Sequence, residues 1–268
     1  MNFVSEGPAE IAARFLSARR SAIGLPDYPG RLPETLEAAY AIQDCAIAAW
    51  GKPVIGWKVG RVPAPLSERY GADRLTGPIF SSQTVGPDGA GPDMPVFGEG
   101  FAAGEAEFCL RIGAPPEAGK TSFTLEEAAE LIDAVHVGIE IASSPLEPIN
   151  RIGPVAVISD FGNNNGLLIG REIPDWRASG FELWEVETLI DGVSVGTGRA
   201  ASFADGAIGS ARFLFELMAK RGIALQPGQW ISSGAVTGVH DARPGQHVVA
   251  RFAEGYEVSC RLTEMRGE

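Results

Sequence analysis

Cysteine and histidine are scarce, three of each in 268 residues. Cys45, Cys109 and Cys260 stand far apart and form no CxxC pair, which excludes a zinc ribbon, a thioredoxin-type redox pair and a disulfide framework; each reads as a buried free thiol. His136, His240 and His247 show neither HxxxH nor HExxH spacing, so zinc is disfavoured. No GxSxG elbow, GxxxxGK[ST] loop or strand-linked GxGxxG occurs, and serine-hydrolase, P-loop and dinucleotide readings lose their defining residues. Positive charge is short too: 22 Lys and Arg against 34 Asp and Glu leave a net charge of -12, the wrong sign for a nucleic-acid backbone or an anionic membrane surface. No uncharged apolar run reaches the roughly 18 residues of a membrane helix, and the first 20 residues lack a basic stretch followed by a continuous apolar core. The expectation is a cytoplasmic protein with neither nucleic acid nor membrane as partner.

What is abundant is glycine, 34 residues against a usual share of ~7%, with 19 prolines beside it. Many tight turns between short strands follow. Before them, Ile11, Phe15 and Leu16, then Leu36, Tyr40, Ile42 and Ala46, recur at helical spacing on either side of a proline-rich break (Gly24 to Glu34) that ends at Thr35 as an N-cap. From Val54 the runs become short or alternating: Val54 to Val59, Glu105 to Ile112, Val135 to Ala142, Val155 to Ser159, Trp184 to Ile190, Val193 to Gly198, Trp230 to Ser233, Val248 to Phe252 and Tyr256 to Leu262. Asp191-Gly192 reads as a type I′ hairpin turn. Helices are expected at Thr124, with Glu127 at capping-box distance, and from about Ile208 to Arg221 with Gly222 as C-cap. Ala90 to Pro95 (AGPDMP) reads as a loop. The chain is therefore expected to be one α+β catalytic domain: a helical segment, 1–53, leading into a strand-rich body, 54–268, of mixed-sheet or barrel-like form.

In Glu105 to Ile112, Ala106, Phe108, Leu110 and Ile112 form an apolar face and leave Glu105 and Glu107 together on the other, about 7 Å apart along the strand. Two such carboxylates can grip one hard cation. The spacing is not decisive, because Glu185 and Glu187 repeat it where a solvated hairpin face is expected. Glu140, flanked by Gly138 and Ala142 in an alternating strand, is a buried carboxylate that needs a cation or hydrogen-bond donors. Lys58 sits in an apolar strand between Gly56 and Gly60; it is either an anion-binding lysine or one that protects a sheet edge. Asp160 to Gly166 (DFGNNNG) gathers polar groups at a strand end, where an ordinary turn is the commoner explanation, and Ser232 to Gly238 (SSGAVTG) likewise follows a strand, with hydroxyls and backbone amides that could hold a carboxylate.

In order, EAAYAIQD (Glu37 to Asp44), IGWKVG (Ile55 to Gly60), GEAEFCLRI (Gly104 to Ile112), GIEIASS (Gly138 to Ser144), ISDFGNNNGLLIG (Ile158 to Gly170) and LQPGQWISSGAVTG (Leu225 to Gly238) resemble the fumarylacetoacetate hydrolase superfamily, in particular its 2-keto-4-pentenoate hydratase and 4-oxalocrotonate decarboxylase branch. The resemblance implies the C-terminal-domain fold of that superfamily. It also implies Mg²⁺ or Mn²⁺ on Glu105, Glu107 and Glu140, with Lys58 and Asp160 as catalytic residues and Asn163, Ser233 and Gly234 binding substrate. The activity implied is a hydro-lyase on a small 2-hydroxydienoate or 2-oxo acid, in the catabolism of aromatic compounds, by a homo-oligomer. A decarboxylase or a C–C hydrolase would use the same metal and enolate chemistry. A non-catalytic binding module is disfavoured, since three buried carboxylates without a cation repel one another. Three places depart from the hydratase pattern: Ile79 stands where an Asp often follows the proline, Asp160-Phe161-Gly162-Asn163 replaces a turn that usually reads DNAS, and the arginine that often follows the third metal ligand is missing from IEIASSPLEP (Ile139 to Pro148).

Overall fold

A computed structural model of the chain describes residues 7–86 and 90–268. It opens with the expected helix pair, α1 (Pro8–Ser21) and α2 (Leu36–Trp50), which turn Ile11, Phe15, Leu16, Leu36, Tyr40, Ile42 and Ala46 into one buried face. Thr35 caps α2 by accepting a hydrogen bond from the Ala38 amide at 3.2 Å, and Gly51 ends it at φ 73°.

The strands are β1 (Gly56–Arg61), β2 (Arg74–Ile79), β3 (Ser82–Thr84), β4 (Ala90–Val96), β5 (Phe101–Ile112) and β6 (Ile132–Ser144), then β7 (Asn164–Glu172), β8 (Val186–Ile190), β9 (Val193–Gly198), β10 (Trp230–Ser232), β11 (His247–Phe252) and β12 (Tyr256–Glu264). They form two mixed sheets that do not close into a barrel, one in the order β2-β1-β10-β5-β6-β7-β3 and one in the order β4-β12-β11-β8-β9. Alternation decides which side chains meet. Ala106, Phe108, Leu110 and Ile112 of β5 and Val135, Val137, Ile139 and Ile141 of β6 point into a core shared with the second sheet and with the helix Gly206–Arg221. The opposite face of the same two strands carries Glu105, Glu107 and Glu140. Burying each large aliphatic side chain contributes about 1.5 to 3 kcal/mol, so this face assignment is strongly held.

Asp191 (φ 50°) and Gly192 (φ 79°) make the expected β8–β9 turn, Thr124 and Glu127 form a reciprocal capping box, and Gly222 ends its helix at φ 68°. Four expectations change. Val155 to Ser159 is part of a helix, Pro154–Ser159, so Asp160 follows a helix and not a strand. Ala90 to Pro95 is most of β4, a strand at the edge of its sheet where proline is tolerated. Lys58 lies on β1, which is flanked by β2 and β10, so it protects no edge. Cys109 and Cys260 are buried free thiols, but Cys45 on α2 is only half-buried.

Candidate metal centre

Four neighbouring strands, β1, β10, β5 and β6, present one row of polar side chains on the face away from the main core: Lys58, Ser232, Glu105 with Glu107, and Glu140. Glu105 and Glu140 are directly paired across β5 and β6, an arrangement of like charges that destabilises a sheet unless something positive intervenes. One carboxylate oxygen from each of Glu105, Glu107 and Glu140 lies within 4.8 Å of the others. Glu107 and Glu140 are fully buried, and Glu105 and Lys58 are each only 4% exposed.

The oxygens are not used alike. Glu107 Oε2 accepts hydrogen bonds from Ser232 Oγ (2.5 Å) and from the Gly234 amide (2.8 Å), and Glu140 Oε1 accepts one from Asn164 Nδ2 (2.9 Å). The second oxygens, Glu107 Oε1 and Glu140 Oε2, are buried without a hydrogen-bond partner. Lys58 Nζ stands 3.2 Å from Glu140 Oε2, near enough for an ion pair but not aligned as a hydrogen bond. Lys58 donates instead to Asn163 Oδ1 at 3.2 Å, and Asn163 Nδ2 donates to Asn150 Oδ1 at 3.2 Å.

Burial pushes the Glu105 carboxyl up to about 7, against the pull of Lys58 and with the help of Glu140. Burial raises Glu107 well above the usual carboxylate range, and the two other glutamates push the same way. Burial works against the charge on Lys58, but Glu140, Glu105 and Glu107 together outweigh it and hold the ammonium above its ordinary value. Three carboxylates against one ammonium leave two negative charges when all are ionised, the complement of a divalent cation.

The loop that supplies Asn163 is strained. Phe161, Gly162 and Asn163 all have φ between 56° and 65°. For a residue as bulky as Phe161 that conformation is a true outlier, and such strain concentrates at functional sites. Close packing imposes it: a Cβ on Gly77 would fall 2.1 Å from the Phe161 carbonyl oxygen, and one on Gly162 would fall 2.9 Å from Lys58 Cδ.

A cavity of about 930 Å³ opens from this centre. Lys58, Glu105 and Asn163, all nearly buried, line its inner end, while exposed Arg61, Arg199 and Val239 line its mouth. The remaining site residues expected from sequence do not line the cavity. Asp160 is held by Arg19 of α1 through bonds of 2.5 and 2.9 Å and by Ser144 Oγ at 2.6 Å, and it does not line the cavity. Ser233 and Gly234 do not line it either; the Gly234 amide is engaged by Glu107, and the same loop contributes Ala235 to Val239 instead. Ile79 is a fully buried core residue. Ser232 and Asn164 lie in the two polar stretches noted in the sequence but were not named as site residues there, and Asn150 was not noted; the Lys58–Ser232 strand pairing puts Ser232, and not Ser233, on the site's face.

No protein-family model and no curated protein matches the sequence. Solved structures do. The chain superposes on 4-oxalocrotonate decarboxylase from Pseudomonas putida G7 complexed with calcium and acetate at a TM-score of 0.76 and 20% identity, covering 95% of this chain and 96% of that one. The same enzyme complexed with magnesium and adipate gives 0.74 at 20% identity, with 95% and 97% covered. Fumarylpyruvate hydrolase from Pseudomonas aeruginosa in complex with Mn²⁺ and pyruvate gives 0.55 at 16% identity, with 78% and 89% covered. At the level of fold, the resemblance drawn from the sequence holds.

Proposed function

We propose that this protein is a divalent-metal-dependent lyase of the fumarylacetoacetate hydrolase superfamily. In this reading it acts on a small 2-oxo acid or its 2-hydroxydienoate form in the catabolism of aromatic compounds, with addition of water to the conjugated alkene placed first. The observation that carries the reading is the division of labour among the carboxylate oxygens: Glu107 and Glu140 each have one oxygen fixed by donors and one buried without a hydrogen-bond partner, that of Glu140 facing Lys58 Nζ at 3.2 Å, beside Glu105. Three buried carboxylates that one ammonium cannot neutralise call for a further cation, and an all-oxygen set suits Mg²⁺ or Mn²⁺. Glu105, Glu107 and Glu140 would hold that ion, which when bound supplies Lewis acidity toward the acid's 2-oxygen.

The chain's own groups do the rest. Lys58, kept charged by the glutamates, is placed to stabilise negative charge on the 2-oxygen as the dienol ketonises. Asn163, braced by Asn150, fixes the direction of the Lys58 ammonium. The helical segment 1–53 and the body 54–268 act as one catalytic unit in this reading, supported by the Arg19–Asp160 ion pair and by Gln43 Nε2 donating to the Thr76 and Ile158 carbonyls.

A specific observation favours decarboxylation as the second reading. Among the described residues no histidine lines the cavity, Glu185 at its mouth is paired with Arg199 at 3.5 Å, and Glu105 is assigned to the metal, which leaves no further carboxylate or imidazole there to activate water. The same lack counts against a C–C hydrolase. Fold likeness to 4-oxalocrotonate decarboxylase supports both lyase readings equally. A panel of 2-hydroxydienoates and 2-oxo diacids with Mg²⁺ or Mn²⁺, followed by dienol absorbance and CO₂ release, separates them. Absorbance loss without CO₂ supports hydration; stoichiometric CO₂ transfers the assignment to decarboxylation; no turnover of any member would end the lyase reading.

A further inference from the structure

The stretch Glu37 to Asp44 on α2 lies outside the three-glutamate cluster and outside the cavity lining, yet one of its side chains joins the two segments that carry Lys58 and Asn163. Gln43 is fully buried. Its Nε2 donates to the Thr76 carbonyl at 3.0 Å and to the Ile158 carbonyl at 2.9 Å, and its Oε1 accepts from Arg221 Nη2 at 3.1 Å. Because a guanidinium can only donate, the carboxamide has one orientation in which all three bonds are made. Each of the two carbonyls leads to one half of the Lys58–Asn163 hydrogen bond. Thr76 of β2 is in register with Val59 of β1, its hydroxyl donates to the Lys58 carbonyl at 2.7 Å, and its amide donates to Tyr40 Oη at 3.0 Å. Ile158 lies in the helix Pro154–Ser159, which runs directly into the turn Asp160 to Asn163. That turn holds Phe161 and Asn163 at φ 56° against Gly77 of β2, and strain of this kind persists only where the surroundings over-determine it. A buried polar group that loses its partner is costly, so Gln43 resists any parting of β2 from the turn.

We propose that Gln43 is a positioning residue: it clamps β2 to the Asp160 to Asn163 turn and thereby fixes the direction in which Lys58 presents its ammonium to the substrate's 2-oxygen. The proposal rests on the oxo-acid reading above. Gln43 bonds to none of the three glutamates, whose own donors come from Ser232, Gly234 and Asn164. Its loss therefore acts through Lys58 and leaves the metal ligands in place.

Calorimetry of the Mn²⁺-loaded protein with oxalate tests this, because oxalate copies the enolate form of a 2-oxo acid, the form whose charge Lys58 meets. Gln43→Leu, which fills the space but donates nothing, should weaken oxalate about five-fold with Mn²⁺ affinity unchanged. Lys58→Met should weaken it about ten-fold or more, and the double variant should be no weaker than Lys58→Met alone, since the two residues act as one unit. Thr76→Val removes only the hydroxyl bond to the Lys58 carbonyl and should also weaken oxalate, while Thr76→Ser should bind it like the parent; this pair decides the matter if Gln43→Leu does not fold. Parental oxalate affinity in Gln43→Leu, or in Thr76→Val where Gln43→Leu does not fold, would overturn the positioning role while leaving the oxo-acid reading in place. So would losses that multiply in the double variant, or a parallel loss of Mn²⁺ affinity. If the parent protein binds no oxalate in the presence of Mn²⁺, the oxo-acid reading itself fails and the role of Gln43 with it.

Discussion

Single side chains set the electrostatics of this protein. Glu105 and Glu107 have folded-state values above the ordinary 4.5, Glu105 at about 7, so without a cation the folded chain binds more protons than the unfolded one between those values. Stability must then fall as pH rises through that window, since the carboxylates become charged inside a dry site. In chelator, the midpoint of thermal unfolding should drop between pH 5 and 8. Glu107→Gln should flatten that drop and abolish the rise that Mn²⁺ produces in the parent. Glu187→Gln, on a partly exposed strand position beside Arg251, should do neither. Lys58 is tested separately: Lys58→Met should lower kcat by about two to three orders of magnitude, the usual effect of losing one preorganised charge-stabilising donor, with Mn²⁺ affinity retained. Borohydride trapping with substrate should add no mass, because the electron sink is electrostatic and not an imine. An adduct on Lys58 would replace this mechanism with covalent catalysis.

At the scale of elements, alternation made the site's core legible. On β5 and β6 the apolar positions leave Glu105, Glu107 and Glu140 only one face to occupy, and Lys58 between two glycines stands out for the same reason. The polar stretches holding the supporting donors were legible but their targets were not, because Ser232 reaches Glu107 diagonally across strands and Asn164 reaches Glu140 from the first residue of β7. Val155 to Ser159 could not be assigned from periodicity, since every residue there is buried and a short apolar run looks the same as strand or helix. Asp160 shows how a motif position can serve architecture: its carboxylate anchors Arg19 and so docks α1 onto the strained turn carrying Asn163. Removing one partner of a buried ion pair costs about 3 to 5 kcal/mol. Asp160→Asn should therefore lower the unfolding free energy from denaturant titration by an amount of that order, while the folded variant still binds Mn²⁺ like the parent. Loss of metal binding in the folded variant would place Asp160 in the site after all.

At the scale of the whole molecule, β9 is one of the two edge strands of the second sheet, and among the described residues its outer side has no strand partner; Val193 is 66% and Val195 36% exposed there. An apolar open edge is a liability that association removes, and this supports the homo-oligomer expected from the sequence. Light scattering should give a mass at least double 28.2 kDa, and a 28.2 kDa particle at working concentration would refute it. The burial pattern of the three carboxylates has a kinetic corollary. Glu107 and Glu140 are sealed on every side, and of the three only Glu105 reaches the cavity. On the proposed function the ion's doorway would also be the acid's doorway, and an order of traffic is predicted: metal enters first, acid follows, and the acid departs before the metal exchanges. Rapid mixing of the Mn²⁺-loaded protein with excess EDTA should show release slowed several-fold by saturating 2-oxoadipate. Release at the same rate with and without the acid would mean that the ion leaves by a second route through the protein.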